Sequence, residues 1–283
     1  MLLILLKAIR LPFSTASVLN FLVFWVALKI PFHTPFFFAL GGVFFAHLAA
    51  NLWNDFFDQK ADSFSKSNSP FFGGSQVLQK GLLSLKQFLT LCFIMSFLAL
   101  FCAIALFFIL PFSLKFLGIL CLGGFLAFFY TAPPFRFAYQ GFGEIVIFLA
   151  FGPFLFLGLV FLTQSPISLK GFLLSCYLGI MVLQILMVNE LPNKKADFKG
   201  QKKTWAVKLS TKNFNKLFLL LGVFLAGILF YFPFSGFFKI FLPFFAFILQ
   251  ITLFLIKKDF IRSLFGLFLH FLACGGWFFY FIS

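Results

Sequence analysis

The sequence predicts an all-α fold, a polytopic transmembrane helical bundle of about nine helices. Three observations carry that expectation. Of 283 residues, 62% are apolar and only 10% are charged, where soluble domains are roughly half apolar. The apolar residues fall into runs close to the ~20 needed to cross a bilayer as a helix. The basic residues gather on alternate connections between those runs.

Taken in order, the runs lie at 11–29, 35–53, 87–109, 111–130, 142–163, 169–189, 214–232, 236–256 and 261–282. Pro12 and Pro35 stand at the starts of the first two, Pro111 parts the third from the fourth, and Gly141 and Gly143 precede the fifth. The first run lacks a small-residue cleavage site, so it reads as a span rather than a removed leader. The whole chain, 1–283, reads as a single transmembrane domain.

Nine helices with an inside N-terminus put 18 of the 22 basic residues on the cytoplasmic side, leaving Lys29, Lys115, Lys170 and Lys239 on the other. That bias is the positive-inside pattern. The net charge of +15 is therefore explained by topology and anionic lipid, and calls for no nucleic acid. The five cysteines (Cys92, Cys102, Cys121, Cys176, Cys274) lie in apolar runs without paired spacing, and read as small packing residues.

Seven acidic residues remain, all on the expected cytoplasmic side, and five of them fall in two stretches. Asn54-Asp55-Phe56-Phe57-Asp58-Gln59-Lys60-Ala61-Asp62 and Asn189-Glu190-Leu191-Pro192-Asn193-Lys194-Lys195-Ala196-Asp197 are one nine-residue pattern repeated 135 residues on. Each ends a span and enters a basic loop. Such a repeat suggests two half-sites facing each other across a bundle. At about 100° per residue, Asn51, Asn54, Asp55, Asp58 and Asp62 share roughly 100° of one helix face. Asn189, Glu190, Asn193 and Asp197 do the same if the helix continues past Pro192. Acids near hydrocarbon cost about 2.5–3.5 kcal/mol each at a helix centre, so the stripe should face the bundle. Hard oxygen ligands without His or Cys suit Mg²⁺, which favours one or two carboxylates plus substrate phosphates. Nearby lysines suit phosphate charge. The bland alternative is a solvated, charged helix end that only sets topology.

At these residues the sequence resembles the UbiA family of intramembrane aromatic prenyltransferases. Asn54-Asp55-x-x-Asp58-x-x-x-Asp62 is similar to the family's first acidic motif, and Asn189-Glu190-x-Pro192-x-x-x-Ala196-Asp197, followed by Gly200 to Thr204, to its second. Tyr130 to Arg136, with Gly141 to Glu144, resembles the loop between the fourth and fifth helices. With Gly74 to Ser84, these blocks look most like 1,4-dihydroxy-2-naphthoate prenyltransferases of menaquinone synthesis. The chain departs from the family's pattern at Asn193, where Asp is usual, and at Gln76 and Gln140, where naphthoate-type members commonly carry Arg.

The resemblance implies a Mg²⁺-dependent transfer of a polyprenyl group from its diphosphate to a small aromatic acceptor in a bacterial inner membrane. It makes Asn54, Asp58, Asp62 and Asp197 the catalytic set and adds Asn193 as a metal ligand, with Asp55 and Glu190 in the same metal-binding motifs. Lys66, Lys199, Lys202 and Lys203 would share the diphosphate charge. Arg10 would meet the acceptor's carboxylate, and Tyr130 and Arg136 would line the acceptor side. Glu144 reads first as a helix-start residue favoured by the dipole, and His47 as an interhelical hydrogen bond. A 4-hydroxybenzoate acceptor is the nearest alternative. A cation-coupled transporter would use paired acidic half-sites too, but its acids should lie at mid-depth. A CDP-alcohol phosphotransferase would need an Ala-Arg pair that is absent.

Overall fold

The structure is a computed structural model, and it describes residues 1–65 and 74–232, with nine further positions between 269 and 281. The expected eighth span, 236–256, lies outside the described residues, as does most of the ninth. The described residues form helices and turns, with no strand among them. The helices are α1 (Leu2–Ala8), α2 (Leu11–Ala27), α3 (Thr34–Phe57), α4 (Gln59–Asp62), α5 (Leu85–Ile109) and α6 (Leu114–Phe128). They continue as α7 (Phe137–Gln140), α8 (Gly143–Phe151), α9 (Pro153–Thr163), α10 (Leu169–Lys199), α11 (Trp205–Lys208) and α12 (Thr211–Tyr231).

Five of these elements are long and apolar enough to cross a membrane when α8 and α9 are counted as one span, and a sixth arises if α1 and α2 are one bent span. The protein is an integral membrane protein. Its starts follow local chemistry. Ser84, Ser113, Ser168 and Ser210 each accept a hydrogen bond from the backbone N–H three residues on, satisfying donors that a helix start leaves free. Large side chains on α5 at 93, 97, 100, 101, 104 and 108 are all exposed. Their helical spacing makes them one lipid-facing stripe.

Four boundaries differ from the sequence expectation. The first span is preceded by α1, which meets α2 at 58° across Ile9 and Arg10; Arg10 is left-handed (φ 51°) and Pro12 opens α2. The second span runs on to Phe57, stops at Asp58 and restarts as α4, so Asp62 does not continue the α3 face. The fifth breaks between α8 and α9, because Pro153 has no N–H to offer. The carbonyl of Phe151, the last residue of α8, accepts a hydrogen bond of 2.8 Å from the buried Asn20 side chain; unpaired in lipid it would cost several kcal/mol. The sixth span does not end at 189. It continues through Pro192 to Lys199.

The 31-residue α10 is about 46 Å long at 1.5 Å per residue, longer than the ~30 Å hydrocarbon layer. It is also the axis of the bundle, with Leu174, Tyr177, Leu178 and Met187 fully buried among α2, α8, α9 and α12. Gly179 lets α8 approach: a Cβ there would lie 2.6 Å from the Phe148 carbonyl oxygen. Midway along, Gln184 donates 3.1 Å to the Phe218 carbonyl of α12. A bonded amide of this kind locks helices where lipid offers no partner.

Candidate functional site

The polar residues collect at one end of the bundle, where α3 and α10 finish, α2 begins and the α6–α8 connection passes. Two glycines bring the pieces together. A Cβ on Gly200 would sit 2.6 Å from the Ala61 Cβ, so the bare backbone after α10 lies directly on α4. Gly74 is left-handed (φ 69°), and a Cβ there would overlap the Asp62 carboxylate and lie 3.3 Å from Asp55 Oδ1. Only glycine meets both demands without strain.

Asp55 is buried at the end of α3, accepts 2.8 Å from the Ser75 N–H, and has the Arg10 guanidinium 3.6 Å from its other oxygen. Arg10 also lies 4.6 Å over the Phe13 ring. Asp58, 1% exposed, has both oxygens engaged. Oδ1 accepts 2.7 Å from the Tyr139 hydroxyl, and Oδ2 is hydrogen-bonded to the Lys202 ammonium. Asp62 is buried beside them, with its backbone carbonyl held by Gln76 at 3.0 Å. Burial pushes the Asp62 carboxyl up to about 7; Lys202 and Arg10 pull against that, while Asp58 and Asp55 add to it.

From the second stretch, Asn189 and Glu190 are buried, while Asn193 and Asp197 are half-open. Asn193 Oδ1 accepts 3.3 Å from the hydroxyl of Ser65, three residues past the end of the first stretch. Past the helix end, Gln201 is left-handed (φ 62°) and the Lys202 N–H donates 2.8 Å to the Asp197 carbonyl. That turn folds Lys202 back into the cluster. Burial opposes its charge, but Asp58, Asp62 and Asp197 outweigh it and hold the ammonium's pKa well above the usual lysine range. Its ammonium also lies 5.6 Å over the Tyr139 ring, and the Arg136 guanidinium stacks there at 4.0 Å. Burial and the neighbouring Asp58 push the Tyr139 phenol up.

Lys202 and residues of both acidic stretches thus share one cluster, joined through Tyr139 to Arg136. Lys199 and Lys203 stay exposed at its rim, and Lys66 lies outside the described residues. Tyr130 is half-buried near the opening of α8, where a Cβ on Gly143 would come within 3.2 Å of its hydroxyl. Burial and the charges of Glu190 and Glu144 raise its pKa. Glu144 does more than start a helix. It is 1% exposed, accepts from the Trp205 N–H with one oxygen, and has the Glu190 carboxyl as a charged neighbour. His47 bonds the Ser17 hydroxyl at 2.8 Å, between α3 and α2.

Tyr139 and Trp205 escaped the sequence reading, and Ser75, inside the Gly74–Ser84 block, was given no role. Tyr139 lay between two quoted blocks, three residues after Arg136, and only the fold shows that α7 brings it against α3. Ser75 and Trp205 act through backbone N–H groups, which any residue type supplies.

Among the described residues no three acidic, His or Cys side chains surround one point closely enough to hold a metal ion; the Lys202 ammonium sits among the carboxylates. The donors nonetheless fit Mg²⁺. All are hard oxygens, and Asn54 Oδ1 and Asp55 Oδ1 are buried with no hydrogen-bond partner.

A model of the UbiA prenyltransferase family matches residues 14–281. The chain belongs to that family. The fold agrees: a UbiA homologue from Archaeoglobus fulgidus, bound to DMAPP and Mg²⁺, superposes with a TM-score of 0.67 at 17% identity, over 98% of this chain and 99% of that one. An apo homologue from Aeropyrum pernix K1 gives 0.71 at 14% identity, over 93% and 97%. In sequence, a 1,4-dihydroxy-2-naphthoate octaprenyltransferase of Mycobacterium tuberculosis is 31% identical over 113 residues, 40% of this chain and 37% of that relative. A 2-carboxy-1,4-naphthoquinone phytyltransferase of Synechocystis is 31% identical over 88 residues, 31% of this chain and 29% of that relative. The chain matches a little over a third of the length of the mycobacterial relative.

Proposed function

We propose that this member of the family transfers a polyprenyl group from its diphosphate to 1,4-dihydroxy-2-naphthoate, as a single-domain enzyme of the bacterial inner membrane with its acidic end on the cytoplasmic side. The observation that carries the reading is the convergence of both acidic stretches with Lys202 at one end of the bundle. The naphthoate and naphthoquinone substrates in the relatives' names support the acceptor class.

In this reading Asn54, Asp58, Asp62, Asn193 and Asp197 hold Mg²⁺, with Asp55 and Glu190 supporting the two motifs. Bound there, the ion supplies charge neutralisation for the leaving diphosphate. The chain's own residues do the rest. Lys202 reaches the diphosphate from inside the cluster, and Lys199, Lys203 and Lys66 approach it from the rim as mobile point charges. Arg10 pairs with the Asp55 carboxylate and aims it, standing where the acceptor's carboxylate would enter. Tyr139, with Arg136 stacked on it, orients Asp58. Tyr130 and the apolar walls of α8 shield the allylic centre from water while the electron-rich ring attacks. The isoprenoid tail lies between helices within the bilayer.

The test incubates membranes carrying the protein with a labelled polyprenyl diphosphate and either naphthoate or 4-hydroxybenzoate, with and without EDTA. An EDTA-sensitive prenylated naphthoate product is expected. Product with 4-hydroxybenzoate alone would reassign the acceptor, and no product with either would end the enzymatic reading.

A further inference from the structure

We propose that Lys202 is a built-in counter-cation that occupies the acidic cluster in the resting protein and is exchanged for the metal, moving onto the diphosphate as the metal enters. The inference rests on the reading above, that the cluster is a divalent-cation site, and adds an order of events to it.

Both oxygens of Asp58 are taken at rest, one by the Tyr139 hydroxyl and one by the Lys202 ammonium. Each oxygen keeps a second lone pair, but a divalent ion on this buried carboxylate would stand directly beside the two groups already bonded to it. The ammonium is the one in conflict, because two cations sharing one carboxylate repel each other at close range in a medium less polar than water. Lys202 is also shared electrostatically with Asp62 and Asp197, so it neutralises the stretches that the ion would bridge. Without it, three carboxylates would face one another in a largely buried space, which is costly.

The lysine can leave without unfolding anything. Its backbone is fixed by the bond to Asp197 and the left-handed turn at Gln201, so the exchange needs only rotation about the bonds of its four-carbon stem. The Tyr139 ring, 5.6 Å from the ammonium, flanks that path and tolerates a cation on its face. A diphosphate arriving with the metal offers the ammonium new anionic oxygens as Asp58 is given up. The carboxylates are then never left without a cation: the singly charged ammonium leaves as a doubly charged ion enters, and the diphosphate takes up the ammonium's charge. Asn54 Oδ1, buried and unpartnered, is already available to the ion.

Two measurements on purified full-length protein in lipid nanodiscs test this without relying on turnover. In the first, Mn²⁺ is titrated by electron paramagnetic resonance, with no phosphate present, into wild type, Lys202→Met and Lys202→Gln. Removing the competing charge should tighten Mn²⁺ binding about tenfold. Binding equal to or weaker than wild type overturns the exchange while leaving the metal site standing. Absence of Mn²⁺ binding in all three proteins, even at millimolar ion, overturns the metal reading and the exchange together. The second measurement needs no variant. Acetylation of Lys202 in wild type, followed by mass spectrometry, should accelerate with Mg²⁺ alone and slow again when inorganic pyrophosphate is added. A rate indifferent to Mg²⁺ overturns the proposal.

Discussion

The two copies of the nine-residue pattern each finish a long helix, yet they are built in opposite ways. In the first copy the helix stops at Asp58 and restarts, and Asp55, Asp58 and Asp62 are all buried against neighbours. In the second, the helix runs unbroken through Pro192, with Asn193 and Asp197 half-open. Matching positions also take different partners. Asp55 pairs with Arg10 and Ser75, whereas Glu190 meets another carboxyl, Glu144. Asp58 holds a cation and a phenol, whereas Asn193 holds a serine hydroxyl. A repeated sequence therefore becomes one rigid wall and one accessible wall, and the difference comes from what each copy packs against.

Breaking either wall should have the largest effect. Asp58→Ala and Asp197→Ala should each lower kcat by about 10²–10³-fold, the scale of losing one electrostatic contact to the developing charge. They should part company in stability. Asp58→Ala removes a buried carboxylate and strips Lys202 of its bonded partner, and should lower Tm, while Asp197→Ala, at a half-open position, should leave Tm near wild type. Equal melting curves would argue against a rigid and an open wall.

Next comes the loop that buttresses the first copy. Gly74→Ala forces a left-handed backbone on a residue with a side chain, at about 1–2 kcal/mol, and pushes into Asp62 and Asp55. A fall in Tm together with at least a tenfold loss of prenyl transfer is expected, since a displaced group of about 1 Å costs on that order or more. Full activity in this variant would show that Asp62 need not be held where it is.

Asn193→Asp makes the second copy match the first at its central position. Adding a carboxylate to a divalent-ion site should tighten metal binding severalfold, read by Mn²⁺ titration; weaker binding would mean that the asymmetry is itself a requirement. The smallest effect is expected for Tyr139→Phe. One neutral donor to Asp58 is lost, worth about 1 kcal/mol, so a fewfold rise in the metal concentration for half-maximal activity should follow, with Tm almost unchanged.

Much of the bundle was legible because hydrophobic run length answers to bilayer thickness, which is a property of the solvent rather than of the fold. Seven of the nine expected runs coincide with helical segments in the described residues. What the run lengths could not reveal were the interruptions. The break at Gly152 and Pro153 stands inside an apolar stretch, and its carbonyl is rescued by Asn20, 131 residues away. The continuation through Pro192 was equally hidden, since a proline that ends most helices survives here inside a packed, buried element. The pairing of the acidic stretches was readable from their repetition. Which lysine stands between them was only partly readable, because the resemblance implied Lys199, Lys202 and Lys203 alike, and only the turn at Gln201 brings Lys202 inward.

The Gly200–Ala61 contact sets the width of the mouth between those walls. Backbone rests on a methyl group at that point, with no room for a Cβ at 200. Any side chain at 200 would act as a spacer, widening the gap by its own thickness and changing which ions can be bridged. The bite of the cluster is thus governed by a single absent carbon, at a residue that carries no chemistry of its own.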